Sequence, residues 1–117
     1  MLGIHFKQAF EGIFKVIKTQ RNFRVQLLVA LITILAASYL DFNQTEWLIL
    51  MLVIALVLSA EMFNTAIEFL SDRVNNKRDN AIKLVKDISA GAVLTTALVS
   101  IAVGLALFMP KILIFLK

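Results

Sequence analysis

The sequence is 117 residues long, 60% hydrophobic and only 17% charged, with a formal net charge of +4. That length leaves room for one domain, and the apolar share is wrong for an ordinary soluble fold, so lipid is the expected solvent for most of the chain. There is no cysteine, which excludes disulfides, thiol redox chemistry and thiolate metal sites and leaves the compartment undetermined.

Ten of the twelve Lys and Arg residues fall in two blocks, Lys7 to Arg24 and Arg73 to Lys86. Two basic patches beside apolar segments suit an anionic membrane surface or a phosphate-bearing ligand better than duplex DNA, so no nucleic-acid partner is expected.

Polar residues interrupt every apolar stretch before Val25, so residues 1–24 do not read as a cleavable signal, and the mature chain is expected to begin close to Met1. Phe6, Ala9, Phe10, Ile13, Phe14 and Ile17 instead recur at helical spacing, with Lys7, Glu11, Lys15 and Lys18 on the other side. This predicts an amphipathic helix over about 4–20, lying on the membrane surface. His5, the single histidine, reads as a surface residue of that helix.

A first span is expected over about 24–40. Its apolar run, Val25 to Leu40, is broken only by Gln26, Thr33 and Ser38 and covers roughly 24 Å, with Arg24 placed to snorkel. The segment DFNQTE, Asp41 to Glu46, is a turn without Lys or Arg, flanked by Tyr39 and Trp47 as interfacial aromatics. A second span follows over about 47–70, then a polar stretch from 71 to 87, then a third span over about 88–109 that Pro110 is expected to end.

Five basic residues precede the first span, none lies in the first turn and five lie in the 71–87 stretch. The positive-inside rule then puts the N-terminus and the 71–87 loop in the cytoplasm and the C-terminus outside, and that rule alone accounts for Arg73, Lys77, Arg78 and Lys83. The expected fold class is an all-α membrane protein of a single domain over 1–117, one surface helix plus three transmembrane helices. Neither internal repeats nor β-barrel alternation is present.

The second span breaks its apolar pattern halfway, with Glu61, Asn64, Thr65, Glu68 and Asp72 at offsets of 0, 3, 4, 7 and 11. These positions fall within about 100° around a helix and make one polar stripe. A carboxylate facing hydrocarbon costs on the order of 3 kcal/mol or more, so the stripe needs partners. It forms a path from the cytoplasmic surface into the membrane interior, suited to bringing a soluble charged reactant to an embedded one. Lys86 and Asp87 stand at the entry of the third span, before the small-residue patch Ser89, Ala90, Gly91 and Ala92. Close helix approach at such a patch would bring both against the stripe, where a divalent cation could hold repelling carboxylates together and the lysine could balance phosphate charge.

The stretches AEMFNTAIEFLSD, Ala60 to Asp72, and KDISAGAVL, Lys86 to Leu94, closely resemble the two signatures of the prokaryotic diacylglycerol kinase and undecaprenol kinase family. The resemblance extends over nearly the whole chain, including the NFR segment at Asn22 to Arg24. It implies transfer of the γ-phosphoryl group of ATP, with Mg²⁺, to the hydroxyl of a membrane lipid, in the bacterial cytoplasmic (inner) membrane and by a homotrimer. By this likeness Glu61 is the general base, Glu68 a metal ligand near the ATP phosphates, and Asn64, Asp72, Lys86 and Asp87 support the nucleotide.

Where relatives carry a second metal-binding glutamate, just before NFR, this chain has Gln20, which offers a carbonyl oxygen without charge. Weaker metal binding or a water-bridged contact is expected there, with Glu11 the one nearby carboxylate that could compensate. The NTAIE and AGAVL wording and the short N-terminus favour undecaprenol over diacylglycerol as acceptor. A proton- or ion-conducting subunit built on Glu61, or a noncatalytic homologue with a degenerate site, are the alternatives from other classes.

Overall fold

The structure, a computed structural model, describes residues 2–74 and 79–117; Lys77 and Arg78 of the expected cytoplasmic loop lie outside the described residues. It contains four helices, α1 (Leu2–Thr19), α2 (Arg21–Tyr39), α3 (Gln44–Val74) and α4 (Asn80–Phe115). The last three are each long and apolar enough to cross a membrane. The chain is thus an all-α membrane protein. Most large apolar side chains of these helices face outward, as expected where lipid tails solvate them as well as a core would.

The α1–α2 junction explains the NFR segment. Phe23 is buried, and Arg24 turns its guanidinium back so that Nη1 donates to the carbonyls of Ile17 and Lys18, both at 2.9 Å. Those carbonyls belong to the last turn of α1 and have no partner within that helix. Arg24 therefore caps α1 where the apolar run alone suggested snorkelling.

The α2–α3 turn is built from two local motifs. Asp41 adopts a left-handed conformation (φ 60°), and the backbone N–H groups of Asp41 and Phe42 return to the carbonyls of Ser38 and Ala37 at 3.4 and 3.2 Å, closing α2. Asn43 and Glu46 then exchange backbone-to-side-chain hydrogen bonds, each 2.9 Å, a capping box that opens α3. Beneath this turn Ala37, Phe42, Leu50 and Leu107 form the buried cluster, with Phe42 against Phe108 at a centroid distance of 4.9 Å.

Two expectations are corrected. Pro110 does not end the third span: it lies inside α4, which runs on to Phe115. Proline removes one backbone hydrogen bond but is tolerated in membrane helices, and here tertiary contacts hold the turns beyond it. Lys111 Nζ reaches Glu46 Oε1 at 3.1 Å, and Phe115 meets Tyr39 edge to face at 5.5 Å. The polar stretch 71–87 is also largely helical at both ends, since α3 continues to Val74 and α4 starts at Asn80, capped by Asp79 Oδ1 accepting from Ala81 N at 2.8 Å. α3 and α4 form the main helix pair, α2 leans on α3, and α1 packs on α2.

Candidate functional site

α3 carries most of the polar side chains in question, and its length sets their depth. At about 1.5 Å per residue its 31 residues extend about 46 Å, more than a hydrocarbon core of about 30 Å, so one end projects beyond the lipid. Glu61, past the middle of α3, is 5% exposed. Asn64 and Thr65 are half-buried one turn on, and Glu68 and Asp72 are exposed beyond them. The stripe therefore grades from a buried carboxylate to open ones along a single helix face.

Each member has a defined partner. Gln26 Nε2, from α2, donates to Glu61 Oε2 at 3.5 Å, the long limit of a hydrogen bond. Thr65 spends its hydroxyl on the Glu61 backbone carbonyl at 2.9 Å, so it belongs to the helix more than to the stripe. Asn64 Nδ2 donates to Glu68 Oε1 at 3.2 Å. Across the α3–α4 pair, Lys86 donates to Asp72 in an ion pair. Asp87 does not join the stripe: it pairs with Lys83 on its own helix at 2.7 Å, the ordinary i, i+4 arrangement.

The small-residue patch behaves differently from its expected role. Ser89 is buried, as is Ser71 on α3, whereas Ala90, Gly91 and Ala92 are exposed, and a Cβ on Gly91 would meet nothing within 4 Å. Within one chain, Ser89 is the patch residue that takes part in packing. Gln20 stands at the α1–α2 junction as the residue preceding α2, with extended backbone (φ −111°, ψ 108°) and no capping hydrogen bond from its side chain. Glu11 is exposed on α1.

The residue that sequence reasoning passed over is Gln26. In the sequence it is only an interruption of an apolar run; in the fold its amide meets the one buried carboxylate among the described residues. The available signal was that a lone amide in a membrane span costs free energy unless it is satisfied, which asks for a polar partner on a neighbouring helix. Two oxygens of the region, Gln26 Oε1 and Asn64 Oδ1, are buried with no hydrogen-bond partner.

The family described as prokaryotic diacylglycerol kinase matches residues 7–108 of this chain. The chain belongs to the prokaryotic diacylglycerol kinase family. It is 35% identical over 107 residues to an undecaprenol kinase of Bacillus subtilis, an alignment covering 92% of this chain and 87% of that protein. It is also 35% identical over 113 residues to a diacylglycerol kinase of Synechocystis, covering 96% of this chain and 65% of that longer protein. As a member of this family the chain is an ATP-dependent lipid kinase of the membrane, which decides against an ion-conducting subunit.

Among the described residues no group of three or more His, Cys, Asp or Glu is placed to hold a metal ion. Mg²⁺ does not require one, because it commonly uses one or two protein carboxylates and takes its other oxygens from water and substrate phosphates. Glu68, exposed on α3, could supply one such carboxylate, whereas Asn64 turns its Nδ2 N–H toward Glu68 and keeps its Oδ1 buried.

Proposed function

We propose that this kinase transfers the γ-phosphoryl group of ATP to the hydroxyl of undecaprenol, in the bacterial cytoplasmic membrane and as a homotrimer, with the N-terminus and the α3–α4 connection in the cytoplasm and the C-terminus outside. The observation that carries the reading is the burial of Glu61 at the head of a polar stripe that opens toward Asp72 and Lys86. In this reading the alcohol oxygen attacks the γ-phosphorus, the bond from that phosphorus to the bridging oxygen breaks, ADP leaves, and the alcohol proton passes to the Glu61 carboxylate.

Phosphoryl transfer asks mainly for in-line positioning and charge neutralisation, so the other residues orient and balance. Lys86 and Asp72, one turn beyond Glu68, stand where a triphosphate arriving from the cytoplasm would lie. Asp87 acts through Lys83, holding a second ammonium at the same entry. Glu68 would hold Mg²⁺, with Gln20 a neutral further donor and Asn64 supporting the nucleotide, and the bound ion would supply charge neutralisation at the phosphates.

Undecaprenol is favoured over diacylglycerol by the wording of NTAIE, Asn64 to Glu68, and AGAVL, Ala90 to Leu94. The wider coverage of the undecaprenol kinase relative, 87% against 65% at equal identity, leans the same way. A trimer is supported by the outward apolar faces of all three spans and by the unpacked Gly91, since small residues in membranes favour close approach of another helix. The test is transfer of labelled γ-phosphate from ATP to undecaprenol and to diacylglycerol, side by side in lipid bilayers, with and without Mg²⁺. Faster Mg²⁺-dependent labelling of undecaprenol is expected; faster labelling of diacylglycerol would keep the mechanism and reject the acceptor.

A further inference from the structure

Glu61 is buried, and the helices around it offer it little that is polar. α2 carries no ionisable side chain between Arg24 and Tyr39, α4 none between Asp87 and Lys111, and α3 none from Trp47 to Ala60. The hydroxyls of Thr33, Thr96 and Ser100 are occupied by carbonyls of their own helices, and that of Thr65 by the Glu61 backbone carbonyl. The Gln26 amide is therefore the one side-chain donor to the Glu61 carboxylate among the described residues, Nε2 to Oε2 at 3.5 Å. Its place is set by the α1–α2 junction: Arg24 donates to the Ile17 and Lys18 carbonyls and Phe23 is buried, which fixes the first turns of α2. Gln26 lies about 8 Å along that helix from Arg21.

We infer that Gln26 is the positioning residue of the Glu61 base, holding Oε2 so that Oε1 is the oxygen presented to the alcohol. The inference rests on the lipid kinase reading and adds to it what aims the base. A glutamate side chain turns about several bonds, and a displacement of about 1 Å near a reacting centre can cost about a hundredfold in rate. One donor on one carboxylate oxygen removes much of that freedom. The alcohol proton then passes to Oε1 as the new oxygen–phosphorus bond forms and the bond from that phosphorus to the ADP oxygen breaks; Gln26 neither gains nor loses a proton. The far side of the amide supports the same role, because Gln26 Oε1 is buried without a partner. An orphaned buried oxygen costs free energy, so a side chain present only for packing would be apolar there. What the amide adds over an apolar chain of the same length is its N–H to Glu61.

The deciding experiment uses the full chain in phospholipid bilayers, with labelled ATP and the better acceptor of undecaprenol and diacylglycerol, each substrate varied in turn. Gln26→Met keeps the length without an N–H and should lower kcat about tenfold while KM for ATP and for lipid stay constant. Gln26→His restores an N–H donor and should hold kcat within about twofold of the unmodified protein. In a Glu61→Gln background, Gln26→Met should change the residual kcat by less than about twofold, because nothing is left to position. The inference is overturned by an unchanged kcat in Gln26→Met, by an effect on lipid KM alone, by Gln26→His as slow as Gln26→Met, or by the full loss repeated in the Glu61→Gln background. Full turnover in Glu61→Gln alone would instead overturn the assignment of the base, and the positioning role with it. Turnover lost in Glu61→Gln but kept in Gln26→Met would overturn the positioning role and leave the base in place.

Discussion

Lys86 and Asp72 clasp one another across the α3–α4 pair, one turn beyond Glu68 and at the exposed end of the polar stripe. The pair ties the two longest helices together where the proposed nucleotide enters. An arriving triphosphate is a stronger partner for an ammonium than a single half-solvated carboxylate, so Lys86 should exchange Asp72 for phosphate on binding. Lys86→Met should reduce kcat/KM for ATP roughly 10- to 100-fold while the KM for lipid stays constant. Steady-state assays varying each substrate in turn check this, and an effect falling on lipid KM alone would place Lys86 elsewhere.

Glu61 is buried, and its nearest polar partner is an amide, so the amide substitution Glu61→Gln preserves shape and removes the charge. Turnover should fall about 10²- to 10⁴-fold, the range that a general base contributes. Nucleotide affinity, read by a fluorescent ATP analogue, should not change, because Glu61 lies deeper in the membrane than the residues assigned to the phosphates. Retained turnover in Glu61→Gln would remove the residue as base.

Outside the site, Glu46 serves two helices, capping α3 through Asn43 N and pairing with Lys111 of α4. Both side chains are mostly shielded, at 19% and 27% exposure, so the pair is stronger than a free surface pair. A double-mutant cycle of Glu46→Gln and Lys111→Met, measured by unfolding in mixed detergent, should give a favourable, non-additive coupling. Lys111→Met should also increase hydrogen exchange in the turns after Pro110 and leave the start of α4 protected. Independent, additive effects of the two changes would mean the contact does not hold that end.

What could be read in the sequence was whatever depends on local period or local chemistry. The three spans follow from apolar runs of membrane length and the stripe from offsets of three and four, whereas α3 starts at Gln44, inside the segment read as a turn, because Asn43 and Glu46 cap it. The Lys83–Asp87 pair was equally local, at an i, i+4 spacing, yet the close helix approach expected at the small-residue patch places Asp87 against the stripe instead. The features that escaped depend on distant partners. Gln26 gains its meaning from Glu61, 35 residues away, and α4 survives Pro110 because Lys111 finds Asp41 and Glu46 across the turn. Neither relation leaves a periodic trace along the chain.

Gln20 offers the most direct test of the metal assignment. It stands at the α1–α2 junction with its side chain free of any capping duty, so a carboxylate there would displace no existing hydrogen bond. Position 20 lies beside Arg21 and near Lys18 and Arg24, a basic setting that keeps an added carboxylate ionised and available. If the residue faces the metal bound by Glu68, Gln20→Glu adds one negative ligand charge, and affinity for a hard divalent cation rises with that charge. The Mg²⁺ concentration giving half-maximal activity should then fall roughly three- to tenfold, with kcat equal or higher, in assays at fixed free ATP. Gln20→Leu should move the same midpoint upward by a smaller factor, since only a neutral oxygen is lost. A midpoint that stays fixed in both variants would assign Gln20 to the helix junction alone and leave Glu68 as the proposed protein ligand of the metal.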